Sequence, residues 1–119
     1  MYEYEGRILK VVDGDTADFE LDLGFYVRVT KRLRLVGINT PERHGPEADK
    51  AAEAVRFVET WTQGRRLIVR TERDRVEKFG RMLATVLREG ATLADPRESL
   101  NEELIRYGLA QPYAGGKRI

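Results

Sequence analysis

Along residues 16–23 apolar and acidic positions alternate without a break. Ala17, Phe19, Leu21 and Leu23 share one side, and Asp18, Glu20 and Asp22 share the other. That period of two predicts a half-buried strand. Residues 5–12 predict a strand ahead of it, and Asp13-Gly14-Asp15 predicts the turn between them. The same parity puts Asp15 at the mouth of the buried face. Residues 25–36 repeat the pattern, with Val27, Val29, Leu33 and Leu35 on one side and Arg28, Thr30, Arg32 and Arg34 on the other. Residues 37–45 predict a loop in which Pro41 pushes Thr40 into an extended conformation.

The period then changes. Pro46 suits the first turn of a helix, and Glu47 is favourable beside its N-terminal dipole. Ala48, Ala51, Ala52, Val55, Phe57, Val58 and Trp61 recur at helical spacing until Gly64 ends the run. Residues 65–71 and 81–88 predict two more strands. Ser99 and Glu102 form a capping-box pattern that opens a second helix, with Leu100, Leu104 and Tyr107 on one side and Gly108 as its stop. The order β-β-β-α-β-β-α, mainly β with helices (α+β), suits a five-stranded Greek-key barrel of the OB type with two helices. Without repeats or linkers the chain predicts one domain over residues 1–114 and a frayed tail over 115–119.

Composition narrows the chemistry. Of 119 residues 41% are apolar and 34% charged, which is globular. The net charge of +1 hides a segregation: residues 63–88 carry eight basic and three acidic side chains, a local surplus that attracts polyanions. With no Cys there is no disulfide, thiolate nucleophile or Cys-bound metal, and the single His44 argues against His-paired metal sites and a Ser–His triad. The start Met1-Tyr-Glu-Tyr-Glu is no signal peptide, and no apolar run is long enough to cross a membrane. The expectation is an intracellular, cytoplasmic location without a membrane partner, with secretion open for a trimmed chain. Chemistry must come from carboxylates, guanidiniums, amines, hydroxyls and an oxygen-ligated metal.

Five blocks occur in order: Val-Val-Asp-Gly-Asp-Thr (11–16), Arg-Leu-Val-Gly-Ile-Asn-Thr-Pro-Glu (34–42), Gly-Pro-Glu-Ala (45–48), Glu-Lys-Phe-Gly-Arg-Met-Leu-Ala (77–84) and Asn-Glu-Glu-Leu-Ile-Arg-Tyr-Gly-Leu-Ala (101–110). Together they resemble the staphylococcal nuclease (thermonuclease) family from about residue 5 to about 113. The resemblance implies an OB barrel that cleaves DNA and RNA phosphodiesters with Ca²⁺ and little sequence specificity, leaving 3′-phosphate ends. It makes Arg34 and Arg81 phosphate clamps and Glu42 the residue that activates or positions water. It makes Asp15, Asn39 and the Thr40 carbonyl ligands of the metal, and Lys78, Phe79 and Tyr113 nucleotide contacts. These residue types suit the reaction. Guanidiniums hold developing phosphoryl charge in fixed bidentate geometry, Ca²⁺ takes oxygen ligands, and a carboxylate orients water.

Taken singly, each residue has an ordinary reading: Arg34 and Glu42 as surface charge, Asp15 as a turn cap, Arg81 as an ion-pair partner, Lys78 and Phe79 as loop charge and packing. Their joint spacing carries the assignment. Three departures from the family stand out. Asn39 replaces a carboxylate, which should lower calcium affinity and brings Mn²⁺ or Mg²⁺ into view. The loop after Glu42 is short, and the chain ends soon after Tyr113, where longer members continue into another helix. That last departure leaves open an exposed apolar patch, and a monomer or weak homodimer. The competing expectation is a catalytically weak or inactive nuclease-like OB module that binds nucleic acid or a protein.

Overall fold

The computed structural model describes residues 2–73, 82–88, 99–114 and 117–118. The elements are β1 (Tyr2–Asp13), β2 (Thr16–Asp22), β3 (Arg28–Leu35), β4 (Ile38–Asn39), α1 (Ala48–Thr62), β5 (Leu67–Arg73), β6 (Met82–Arg88), α2 (Leu100–Arg106), β7 (Gln111–Ala114) and β8 (Lys117–Arg118). β1, β2, β3, β6 and β5 close into a barrel in that order, as the OB-type expectation requires. Its pairings are antiparallel except β3 with β6, which run parallel through Arg34–Leu83 and Leu35–Ala84. A small second sheet, β4-β7-β8, lies outside the barrel sequence. Neither its two-residue strands nor β7 is long enough to leave a period in the sequence.

The alternation along β2 and β3 sorts itself as predicted. Ala17, Phe19, Leu21, Leu33 and Leu35 are buried in the barrel, with Leu67, Val69, Ala84 and Val86 from β5 and β6. The opposite side carries charge paired across strands. Arg32 donates to both carboxylate oxygens of Asp18 (2.8 and 3.2 Å), and Arg7 donates to Glu20 at 3.1 Å. The hydrogen bond from Arg32 holds the Asp18 carboxyl below its ordinary value of 3.8, with the charges of Arg32 and Lys10 adding to the effect. β3 starts at Arg28 rather than residue 25 because Gly24, Phe25 and Tyr26 all adopt positive φ (82°, 54° and 61°) and turn the chain. Leu23 and Val27 flank that turn and are therefore exposed, not core. β1 reaches two neighbours by bulging, its register slipping between Ile8 and Lys10 and again between Val11 and Asp13, which bends the strand around the barrel.

α1 begins at Ala48 after Glu47 and buries Ala51, Ala54, Val55, Val58 and Trp61. Ala48 and Ala52 are exposed, because the row 51-54-55-58-61 at three-to-four spacing faces β1 and residue 52 turns away from it. Ser99 caps α2 as predicted, its hydroxyl accepting from the Glu102 N–H at 3.1 Å, and Gly108 closes it at φ 72°. Leu100 and Leu104 are buried, whereas Tyr107, expected on the same side of the helix, is 61% exposed and packs against Phe57, ring to ring at 5.4 Å. Two polar ties fix the helices to the barrel. The buried Asn101 amide donates to the carbonyls of Val36 (2.9 Å) and Ala84 (3.0 Å), and its oxygen accepts from the Val86 N–H (3.2 Å). The Trp61 indole N–H donates to Glu103, while the Arg88 guanidinium lies 4.5 Å over the indole and 4.0 Å from the same carboxylate. Asn101→Ala strips the Val86 N–H of its partner inside the core. Urea unfolding is expected to show a loss of about 1–3 kcal/mol, the cost of one buried unsatisfied group; an unchanged midpoint would mean the helix is held otherwise.

Candidate active site

At one end of the barrel the β1–β2 turn, the last residues of β3 and the β4 strand meet. Thr16 pairs with Arg34, so the turn residue Asp15 lies beside the end of β3. The Leu35 N–H donates to the Asp15 carbonyl at 2.8 Å and locks that placement. The turn can approach so closely because residue 14 has no side chain. A Cβ there would lie 2.8 Å from Ala54 Cβ and 2.9 Å from Thr40 Cγ2. Gly14 thus seats the turn against both α1 and the Thr40 segment.

Asp15 and Arg34 form an ion pair at 2.8 Å with side chains 9% and 12% exposed. The Arg34 Nη2 also donates to the Ile38 carbonyl (3.1 Å) and to the Asn39 side-chain oxygen (3.3 Å). Asp15 accepts from the Thr40 backbone N–H (3.1 Å) and from the Thr16 hydroxyl (3.0 Å). The Arg34 guanidinium carbon is 5.3 Å from the centre of the Tyr113 ring. Tyr113 reaches it because β7 pairs with β4 and its N–H donates to the Gly37 carbonyl at 2.9 Å. The Thr40 hydroxyl oxygen is buried without a hydrogen-bond partner among the described residues.

Five of the residues singled out in the sequence therefore converge: Asp15, Arg34, Asn39, Thr40 and Tyr113. Glu42 lies two residues beyond Thr40, exposed, in a tight segment where its carbonyl accepts from the Gly45 N–H at 3.1 Å. Lys78, Phe79 and Arg81 lie outside the described residues. Three features escaped the sequence reading. Arg34 was expected on an exposed polar face, yet the strand's final turn into β4 buries it. In the sequence Gly14 marks only a turn. Asn101 opens the 101–110 block with no role visible in the sequence, where a short polar residue beside Leu100 on a helix is the available signal.

The model of the staphylococcal nuclease homologues matches residues 32–118. The chain belongs to the staphylococcal nuclease family. It is similar to Endonuclease YhcR of Bacillus subtilis (strain 168), 29% identical over 93% of this chain and 9% of that protein. It is also similar to Uncharacterized protein MJ1439 of Methanocaldococcus jannaschii (28% identity, 92% of this chain, 59% of the relative) and to Protein ParB of Escherichia coli (28%, 93% and 58%). The chain thus spans less than three-fifths of the length of each of these relatives. The family assignment and the named endonuclease make this a nuclease-family domain.

The close seat of the turn has a direct test. Gly14→Ala must push either Thr40 or Ala54 aside, and overpacking of this kind costs about 1–3 kcal/mol. Thermal or urea unfolding is expected to show that loss, and NMR to show shifted Asp15 and Thr40 amides. Wild-type stability with unmoved amides would contradict the geometry.

Proposed function

We propose that this domain hydrolyses phosphodiester bonds within DNA or RNA, with little sequence preference, in a metal-dependent reaction that leaves 3′-phosphate ends. The observation that carries this reading is the buried Asp15–Arg34 pair, with Asn39, Thr40 and Tyr113 around it, in a chain of nuclease ancestry. A guanidinium held on one side by Asp15, the Ile38 carbonyl and Asn39 is preorganised. Its Nε–H makes no hydrogen bond among the described residues, which leaves a donor for a phosphoryl oxygen. Fixed donors of this kind stabilise charge that develops in the transition state without reorganising.

The residues fit a hard divalent cation. Asp15, Asn39 and Thr40 offer a carboxylate, an amide oxygen and a backbone carbonyl, and the Thr40 hydroxyl adds a buried polar atom with unused capacity. These three would hold Ca²⁺, or Mn²⁺ or Mg²⁺ given the missing charge at Asn39; when bound, the ion neutralises and polarises the phosphoryl group. Arg34 is the competitor for the same oxygens, since it already contacts Asp15 and Asn39. Glu42, exposed beside this cluster in sequence, orients or deprotonates the attacking water. Arg81 supplies the second guanidinium; in the chain it stands two residues before Leu83, which pairs with Arg34. Tyr113, Lys78 and Phe79 contact the nucleotide.

The second reading, a nuclease-like module that binds without cleaving, is favoured by one observation: every Asp15 carboxylate oxygen already has a protein partner. Plasmid degradation in Ca²⁺, Mn²⁺ and EDTA separates the two. Metal-dependent loss of the plasmid supports the nuclease; salt-sensitive binding without cleavage supports the module. Arg34→Ala is expected to lower kcat by about 10²–10³-fold, the loss seen for comparable charge-stabilising donors, and wild-type cleavage would remove Arg34 from the mechanism. Asn39→Asp is expected to lower the calcium concentration needed for half-maximal cleavage, and an unchanged requirement would take Asn39 away from the ion.

A further inference from the structure

On a different part of the surface, where β1 bulges beside the C-terminal end of α1, an open groove is lined by Arg7, Leu9, Lys10, Glu59, Arg65 and Arg66. Four cations face one carboxylate. Of these four Arg7 pairs with Glu20, and away from the groove Arg32 pairs with Asp18 and Arg43 with Asp13. Lys10, Arg65 and Arg66 have no ion pair among the described residues, and all three are exposed. Lys10 stands opposite Asp18 in the ladder, but Arg32 holds that carboxylate with two hydrogen bonds. The last turn of α1 has no basic residue of its own. Instead the chain reverses at Gly64 (φ 66°) and presents Arg65 and Arg66 at the groove.

We infer that this groove binds the sugar-phosphate backbone of a nucleic acid strand at a distance from the cleavage site. The inference rests on the nuclease reading above and extends the substrate footprint. Three unpaired cations set close together repel one another, and a polyanion relieves that repulsion while releasing counterions. The groove is connected to the cleavage site by β1 itself, which runs from Lys10 to Asp13 in about 10 Å at ~3.3 Å per residue and enters the turn that carries Asp15. A strand of several nucleotides is long enough to span that distance. An anionic membrane fits less well, because the groove is concave and, of its apolar lining, Leu9 (45% exposed, extruded by the bulge) is exposed while Ile8 is half-buried and Val11 buried.

The test is a salt titration of binding. A fluorescent single-stranded 20-mer is titrated with wild type and with Lys10→Ala/Arg65→Ala/Arg66→Ala in EDTA, which stops cleavage, after thermal unfolding has verified that both fold. Three lost phosphate contacts at about 0.7 each should lower the slope of log K against log salt by about 2. Cleavage of a dinucleotide by the same variant, with metal restored, should match wild type, since none of the three residues belongs to the cleavage site. An unchanged slope and affinity for the 20-mer would overturn the groove and leave the nuclease reading intact. Failure of wild type to bind the 20-mer in EDTA would overturn the groove, and failure of wild type to cleave with metal restored would overturn the nuclease reading as well. Unchanged oligonucleotide binding, with triple-variant loss of binding to phosphatidylserine-containing vesicles, would assign the groove to a membrane and overturn the proposal.

Discussion

A carboxylate and a guanidinium, each nearly out of water, meet at the end of the β2–β3 ladder, and the geometry of that end of the barrel follows from their pairing. Taking either charge from water alone costs several kcal/mol, so each is tolerable only with the other and with further hydrogen bonds in place. The fold supplies them. The Thr40 N–H and Thr16 hydroxyl serve Asp15, and the Ile38 carbonyl and Asn39 serve Arg34. The pair and these partners come from pieces of chain that must be in register: the turn running into β2, the end of β3, β4 and the residue before Pro41. The ion pair thus checks the relative placement of four pieces of chain, and the absent Cβ of Gly14 lets them come together against α1.

The rest of the architecture holds this arrangement still. The barrel's interior is apolar and closed, while its outer charges are exposed cross-strand pairs of small individual worth. Rigidity near the site comes instead from buried and half-buried polar ties. Asn101 joins α2 to both Val36, just past the end of β3, and β6. Trp61, Glu103 and Arg88 join α1, α2 and β6 by a hydrogen bond, a cation over an indole and a long ion pair. β7 folds back on β4 and brings Tyr113 over Arg34. A preorganised guanidinium needs such support, because catalysis gains most when the stabilising dipoles do not have to move.

Much of this was legible in the residues. The strict alternation of 16–23 located β2 and its buried side, and the Ser99–Glu102 cap located α2. Both signals are local, and local physics decides them. The strand start at Arg28 was not legible, because it depends on Phe25 and Tyr26 adopting positive φ against their intrinsic preference. β4 and β7 stabilise each other across distant sequence and carry no period of their own. The burial of Arg34 was not legible in its strand, where it shares a face with the exposed Arg28 and Arg32; the reversal at Gly37 returns Ile38 and Asn39, only four and five residues on, and Asp15 arrives from the β1–β2 turn. The meeting of Asp15 with Arg34, Asn39 and Thr40 was expected from the family resemblance, not from the pattern of any one segment.

The claim beneath all of this is that Asp15 and Arg34 act as one unit. A double-mutant cycle in urea unfolding measures it directly. Asp15→Ala and Arg34→Ala are each expected to cost about 3–5 kcal/mol, as removal of one partner of a buried pair does. The double variant should be more stable than the sum of the two losses allows, by about 1–3 kcal/mol of coupling. Strictly additive losses would mean that the two charges do not depend on each other, and the account of the site would fail with them.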